Sequence, residues 1–333
     1  MRVLVTGGAG YIGSHTVAAL RVAGHEPIVL DTLEHGHPSA IPDTTLVVGS
    51  AGDRRLVRDL LAAHAIEAVI HFAARKSVPE SIADPGMYYA DNVAGSLELL
   101  RAMVDGGVRR FVLSSTCAVY GAPDELPVRE SSPVHPENPY GDSKLMVERM
   151  TPWFERAHGL RTVVLRYFNA AGAALDGSNG EDWRQAQNLV PVVLAVAGGR
   201  RDAVEIYGTD YPTPDGTAIR DYIHVEDLAD AHVRSVMHLA DGGPSVTLNL
   251  GTGRGASVRD VVVAAQAATG RSIETRLAPR RPGDPAAIWA DAGLAHRVLA
   301  WTPRYDLDAI VSSAWTWHQR HPDGHGPLAR AVA

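Results

Sequence analysis

Apolar and polar positions come in blocks through the first half of the chain. Short runs rich in Val, Leu and Ile occupy residues 2–6, 27–30, 46–48, 68–72, 110–114 and 162–166. Between them lie segments with helical periodicity: 14–23, stopped by Gly24; 54–64, with Leu56, Leu60 and Leu61 on one face; 93–104; and a stretch that follows Tyr140. Short strands that alternate with helices of about ten residues make βαβ units, and these predict an α/β fold with a doubly wound parallel sheet. The rhythm changes after Ala170. Residues 173–187 are Gly-rich and polar, a loop long enough to carry function, and turns follow at Asp215-Gly216 and Gly242-Gly243-Pro244. The expected division is a first domain over 1–172, with returning segments from about 221–250, and a smaller mixed α/β domain made mainly of 173–333. Residues 322–333 carry Gly, Pro and His and are expected to fray. No internal repeat interrupts the pattern.

Composition narrows the class. The chain has 333 residues, 45% hydrophobic and 21% charged, with a net charge of −7. That balance belongs to an ordinary globular chain, and the absence of a basic block argues against nucleic acid as a partner. One cysteine, Cys117, excludes an internal disulfide framework and any multi-cysteine metal site. The loop pair His35 and His37 has no further ligands near it in sequence, so no metal is expected. Nor is there an apolar run of membrane-spanning length or a leader-like start, and the expectation is a cytoplasmic protein with no membrane partner. Of the 31 basic residues, only Lys76 and Lys144 are lysine and the other 29 are arginine. A lysine retained in such a chain marks a place where a compact charge with a tunable pKa is needed and a planar, permanently charged guanidinium is not.

Two constellations carry chemistry. Gly7, Gly10 and Gly13 fall in Gly-Gly-Ala-Gly-Tyr-Ile-Gly, directly after a strand and at the start of a helix. Glycines there allow a tight turn and let backbone amides approach a pyrophosphate at a helix N-terminus, the Rossmann-type dinucleotide site. Asp31 closes the next strand, where an acid takes the ribose hydroxyls of NAD and repels the 2′-phosphate of NADP. The second constellation is Tyr140 with Lys144, one helical turn apart, and Ser114-Ser115-Thr116 at a strand end. Oxidising a carbinol requires a base for the hydroxyl proton. A phenol titrates near 10, and pulling it to about 7 takes about 4 kcal/mol. An ammonium one turn away and a positive nicotinamide can supply that, with Thr116 relaying the proton or holding the hydroxyl.

With these residues in place the sequence resembles the extended short-chain dehydrogenase/reductase family, and within it the UDP-sugar 4-epimerases. The resemblance runs from Met1 to about His321. It is carried by Val-Thr-Gly-Gly-Ala-Gly-Tyr-Ile-Gly-Ser-His (5–15), His-Phe-Ala-Ala-Arg-Lys (71–76), Asn-Pro-Tyr-Gly-Asp-Ser-Lys-Leu-Met-Val-Glu (138–148) and Leu-Arg-Tyr-Phe-Asn-Ala-Ala-Gly-Ala (165–173). Asn-Leu-Val-Pro (188–191), Arg-Asp-Tyr-Ile-His-Val-Glu-Asp-Leu-Ala (220–229) and Pro-Arg-Arg-Pro-Gly-Asp (279–284) extend it. The resemblance implies reversible inversion at C4 of a UDP-hexose through a 4-keto sugar, with NAD kept bound and Tyr140 as base. It implies that Tyr11, Ile12, Asp31, Phe72, Ala73, Lys76, Asn92 and Phe168 line NAD, with Lys144 on the nicotinamide ribose. Arg220 and Arg281 are implied for the diphosphate, Asn169, Asn188 and Leu189 beside them, Asp284 for a ribose, and Glu205, Ile206 and Tyr207 for the strand flanking uracil. A homodimer is implied too, built from helix 93–104 and the helix after Tyr140.

The chain departs from that pattern in places. Ile288 stands where some members place a Tyr that closes the sugar pocket, which makes UDP-GlcNAc a candidate substrate beside UDP-galactose and UDP-glucose. UDP-xylose and UDP-glucuronate stay open. Ser50 and Ala51 interrupt the adenine-edge motif, which predicts weaker adenine readout. Pro152 falls inside the helix after Tyr140, so that helix is expected to kink or end early. A 4,6-dehydratase needs an Asp-Glu pair where Cys117 and Ala118 stand, and a non-catalytic NAD-binding protein has no need of Tyr140, Lys144 and Thr116 together.

Overall fold

The computed structural model describes residues 1–184, 186–281 and 283–326. In the first half, β1 (Arg2–Thr6), α1 (Tyr11–Val22), β2 (Glu26–Asp31), β3 (Thr45–Val48), α2 (Arg54–Ala63) and β4 (Ala68–His71) follow one another. Next come two short helices, α3 (Val78–Ala83) and α4 (Pro85–Tyr88), a π-helical turn (Tyr89–Ala94), α5 (Gly95–Asp105), β5 (Arg110–Thr116), α6 (Pro139–His158) and β6 (Arg161–Tyr167). The second half holds β7 (Asn169–Ala171), α7 (Leu189–Ala197), β8 (Val204–Tyr207), β9 (Ile219–His224), α8 (Val225–Ala240), β10 (Val246–Leu250), β11 (Gly255–Ser257) and α9 (Val258–Thr269). It ends with β12 (Thr275–Ala278), β13 (Ala287–Ile288), α10 (Gly293–Leu299) and α11 (Leu307–Arg320).

Seven strands form one sheet in the order β10-β6-β5-β4-β1-β2-β3, and every pairing in it is parallel. Its inner strands are buried on both faces, as crossover helices require, while the edge strand β3 is not. Val3 and Val5 of β1 face the layer of α1, α8 and α10, and Leu4 faces that of α2, α5 and α6. Each fully buried side chain of this kind contributes about 1.5–3 kcal/mol. The expected doubly wound sheet is therefore present. A smaller sheet joins β7, β9, β11 and β13, and β8 pairs with β12. Helices α7, α9 and α11 pack into a third apolar cluster beside them. No helix among the described residues is long and apolar enough to cross a membrane.

Two features differ from the sequence expectation. Helix α6 does not end early at Pro152; it is continuous to His158. Pro152 has no N–H for the carbonyl of Glu148, four residues back. The Thr151 hydroxyl donates to that carbonyl instead, at 2.9 Å. The second concerns the C-terminal segment, of which 327–333 lies outside the described residues. Residues 322–326 do not fray. The His325 ring packs against Trp317 and His37, with centroids 4.7 and 4.8 Å apart, and its Nε2 donates to the Gly180 carbonyl at 2.9 Å. Ser39 and Trp183 donate to the carbonyls of His325 and Pro322. Aromatic stacking gives a polar tail enough contact to offset the entropy of ordering it.

Thr151→Val should strand the buried Glu148 carbonyl and lower unfolding stability by about 1–3 kcal/mol in denaturant titrations. Adding Pro152→Ala, which returns a backbone donor, should recover most of the loss. A double variant no more stable than Thr151→Val alone contradicts this account.

Candidate active site

All seven parallel strands end at one edge, and β1 lies between β2 and β4, where the crossovers change direction. Ligands of open α/β sheets bind at such a switch point. Gly7 turns the chain there with a φ of +72°, and a Cβ on it would lie 2.6 Å from the Ala73 amide. On Gly13 a Cβ would lie 2.3 Å from the Gly7 carbonyl. Helix α1 starts after Gly10 with no side-chain cap and no acid in its first turn. Its free amides and the helix dipole therefore face the turn, an arrangement suited to a pyrophosphate. Asp31 is buried at the end of β2, accepting from the Ala9 and Leu33 amides at 3.0 and 2.8 Å. Burial raises its pKa, and the two amides oppose that shift. The carboxylate braces the glycine turn and keeps further lone pairs for ribose hydroxyls. A cradle without side chains, an uncapped helix start and this acid fit a dinucleotide.

The other residues implied for the cofactor spread around this turn. Tyr11 donates through its hydroxyl to the Gly172 carbonyl at 2.6 Å, while Ile12 packs on the core beneath. Phe72 and Ala73 leave β4, both amides donating to the Thr6 carbonyl. Asn92 is 1% exposed. Its Oδ1 accepts from the Arg75 amide at 2.8 Å, and its Nδ2 donates to the Arg75 carbonyl and to Ser143 Oγ. That amide is committed to protein partners and acts by fixing the loop after β4. Lys76 is largely exposed and pairs with Glu181 at 3.5 Å. The two lysines thus differ: Lys76 bridges to the 173–187 loop, and Lys144 is 5% exposed inside α6.

At the ends of β5 and β6 the catalytic candidates converge. Asn138 caps α6 by accepting from the Gly141 amide at 2.9 Å, which places Tyr140 in the first turn. Thr116 ends β5, its hydroxyl accepting from the Ala118 amide at 3.1 Å and lying near enough to Tyr140 to favour its phenolate. Burial raises the Tyr140 pKa above the ordinary phenol value, Tyr167 adds to this, and Thr116 opposes it. Burial also lowers Lys144 to about 8, against the attraction of Glu148. Behind them lies His71, its Nδ1 2.7 Å from Thr6 Oγ1 and its Nε2 2.9 Å from Ser96 Oγ. Ser96 spends its proton on the Asn92 carbonyl at 2.5 Å, so it accepts from His71 Nε2–H and Nδ1 accepts from Thr6. Burial, with Lys144 nearby, pushes His71 down to about 3, and the ring is neutral.

The residues implied for the substrate lie on the second half. Asn169 is in β7, and Asn188 and Leu189 start α7, whose first turn also lacks an acid. Arg220 of β9 donates to the Pro285 carbonyl at 2.8 Å and lies 3.6 Å from Asp284. The Arg281 guanidinium stacks over the Tyr207 ring at 3.7 Å. Glu205 accepts from the Tyr207 hydroxyl, and Ile206 between them is buried. Ile288 packs in one buried cluster with Phe168, Val128 and Ala290, against Cys117. Asp53 caps α2 by accepting from the Leu56 amide at 3.0 Å. A cavity of about 430 Å3 lies at the opposite edge of the sheet, lined in part by Arg109, Arg110 and Arg161. Arg109 donates to the Val104 carbonyl in the last turn of α5, Arg110 to that of Glu67 before β4 and Arg161 to that of Gly242 after α8, so that cavity is remote from the chemistry.

Sequence reasoning passed over His71, Ser96, Ser143, Glu148, Arg166 and Glu181. Glu148 alone had a local signal, the four-residue step from Lys144 that repeats the step from Tyr140. The others meet only through the fold.

Gly13→Ala should force the glycine turn open, because the new methyl meets a backbone oxygen. The variant is expected to fold but to leave purification depleted of dinucleotide, measured in the acid extract. Full retention of dinucleotide contradicts the cradle.

A model of the NAD dependent epimerase/dehydratase family matches residues 3–251. The UDP-glucose 4-epimerase of Halalkalibacterium halodurans is 48% identical over 326 residues, covering 98% of this chain and 98% of that protein. The solved structure of UDP-glucose 4-epimerase from Brucella ovis in complex with NAD superposes with a TM-score of 0.92 at 46% identity, covering 94% of this chain and 97% of that one. That from Bifidobacterium longum, in complex with NAD+ and UDP, gives 0.93 at 40% identity, covering 97% and 100%. The family match spans the glycine turn, the Tyr140–Lys144 helix and the strands between them, and the chain belongs to the NAD dependent epimerase/dehydratase family.

Proposed function

We propose that this chain inverts C4 of a UDP-hexose, interconverting UDP-galactose and UDP-glucose in the cytoplasm with an NAD that stays bound. The observation that carries the reading is the joining of Thr116, Tyr140 and Lys144 at the strand ends beside a cradle fit for a dinucleotide. When bound, NAD supplies reversible hydride acceptance and so permits a transient 4-keto sugar.

The chain's own residues handle the proton and the positioning. Tyr140 Oη takes the proton of the sugar 4′-hydroxyl and returns it after the sugar has turned. Burial alone keeps that phenol protonated; the Lys144 ammonium one turn away, with the positive nicotinamide, stabilises the phenolate. Thr116, beside Tyr140 at the end of β5, holds the sugar hydroxyl in line. Arg220 and Arg281 take the diphosphate, since guanidinium forks match phosphate oxygens, and the open first turn of α7 adds amides. Lys76 and Glu181 close the mouth between the two halves. The second copy of a homodimer packs on the face of α5 and α6. This is supported by Trp153, whose surface is 66% exposed, and by Met146, exposed on the same helix.

Tyr140→Phe should lower turnover by about 10²–10⁴-fold, the usual worth of a positioned base, while the protein still carries NAD. Purified protein should convert UDP-galactose with no NAD added. Parallel incubations with UDP-GlcNAc, UDP-xylose and UDP-glucuronate define the sugar, UDP-GlcNAc being favoured among them by the modest size of Ile288. Dependence on added NAD, or retained turnover in Tyr140→Phe, contradicts the reading.

A further inference from the structure

Tyr140, Lys144 and Glu148 stand at steps of four along α6 and share one face. Glu148 is buried, 7% exposed. Arg166 of β6 binds it by both edges: Nε lies 3.1 Å from each carboxylate oxygen and Nη2 lies 2.5 Å from Oε2. Ser115 of β5 donates to Oε1 at 2.5 Å. The remaining guanidinium nitrogen reaches the Tyr120 hydroxyl at 3.1 Å, and Tyr120 donates to Asn249 of β10 at 2.6 Å. One buried carboxylate therefore ties α6 to the strand that ends in Thr116 and, through Arg166, to two further strands.

A buried ion pair is a poor way to pin a helix. Taking two charges out of water is costly, and an apolar pair of similar volume often holds as well or better. An apolar pair would lack a charge for Lys144. The other groups around Lys144 offer none: His71 of β4 is held neutral by Thr6 and Ser96, and Tyr167 of β6 is engaged with Ser114. Tyr88 and Cys117 flank Tyr140; Asp142 is two residues from Lys144 and so on another face of α6, where it accepts from Tyr89.

We infer that Glu148, held by Arg166, is a positioning residue that sets the charge of Lys144 as well as the place of α6 against Thr116. Arg166 moderates it: a free carboxylate would draw the Lys144 ammonium away from Tyr140 and toward itself, whereas a paired one only offsets part of the burial cost. The inference rests on the catalytic reading of Tyr140 and Lys144 given above.

Having only two lysines makes the test direct. Lysine labelled with an NMR isotope at Cε gives two resonances in the NAD-bound protein, and Lys76→Arg assigns them. Glu148→Gln should lower the Lys144 midpoint by about one pH unit, the low end of what a neighbouring charge does. Arg166→Met should raise it. The alkaline limb of turnover should move in the same two directions. Disruption of packing has no reason to move one midpoint in opposite senses. If a single variant fails to fold, the double variant Glu148→Gln, Arg166→Met strands no charge; its midpoint should still fall, by less, because Glu148 shares a helix face with Lys144 one turn away while Arg166 stands on β6. A Lys144 midpoint that stays put, or moves the same way in both single variants, overturns the inference. Retained turnover in Tyr140→Phe, with the Lys144 midpoint still responding, would sink the catalytic reading and leave the electrostatic one.

Discussion

Seven strands running the same way impose the rest of this structure. Parallel neighbours cannot be joined by tight turns, so each must be reached by a crossover, and the helices of those crossovers cover both faces. The same constraint sends every strand's carboxyl end to one edge. Thr6, Asp31, His71, Thr116 and Tyr167 are the last residues of β1, β2, β4, β5 and β6, far apart in sequence and gathered by direction alone. At β1 the crossovers diverge, and the opening left there is lined by backbone because Gly7 and Gly13 have no room for a side chain.

An edge of this kind collects polar groups that the core does not solvate, and the chain answers with hydrogen bonds among them. The line from Thr6 through His71, Ser96 and Asn92 to Ser143 joins the glycine turn to the catalytic helix without a formal charge. Across α6 the bond is charged: Glu148 and Arg166 bury a full ion pair between helix and sheet. Neutral links suit the side where a second positive group would compete with Lys144. A charged link suits the side where a carboxylate can support it. The site's electrostatics thus follow from which polar residues the sheet edge places on each flank of one lysine.

Much of this was legible locally. Strand runs, the stop at Gly24, the glycine turn with Asp31 and the Tyr140–Lys144 step are short-range patterns. Pro152 shows where local rules gave out. The proline rule correctly predicts a lost hydrogen bond, but whether the helix breaks depends on a neighbour's hydroxyl, and Thr151 supplies it. The C-terminal residues were misjudged for a related reason. Gly, Pro and His have little intrinsic order, yet His325 is held by Trp317 and His37, distant partners that no window on the sequence contains.

By itself, then, the sequence determined the elements, their alternation, the family and the residues able to do proton chemistry, because each depends on spacings of a few positions. Only the tertiary structure decided how those residues are charged. A phenol held protonated, a neutral histidine and a buried ammonium with an opposing carboxylate are set by burial and by neighbours across strands. Lys76 and Lys144 make the point together. They look alike in a chain of arginines, and only the fold leaves one at the surface, paired with Glu181, and takes the other into the core beside Tyr140.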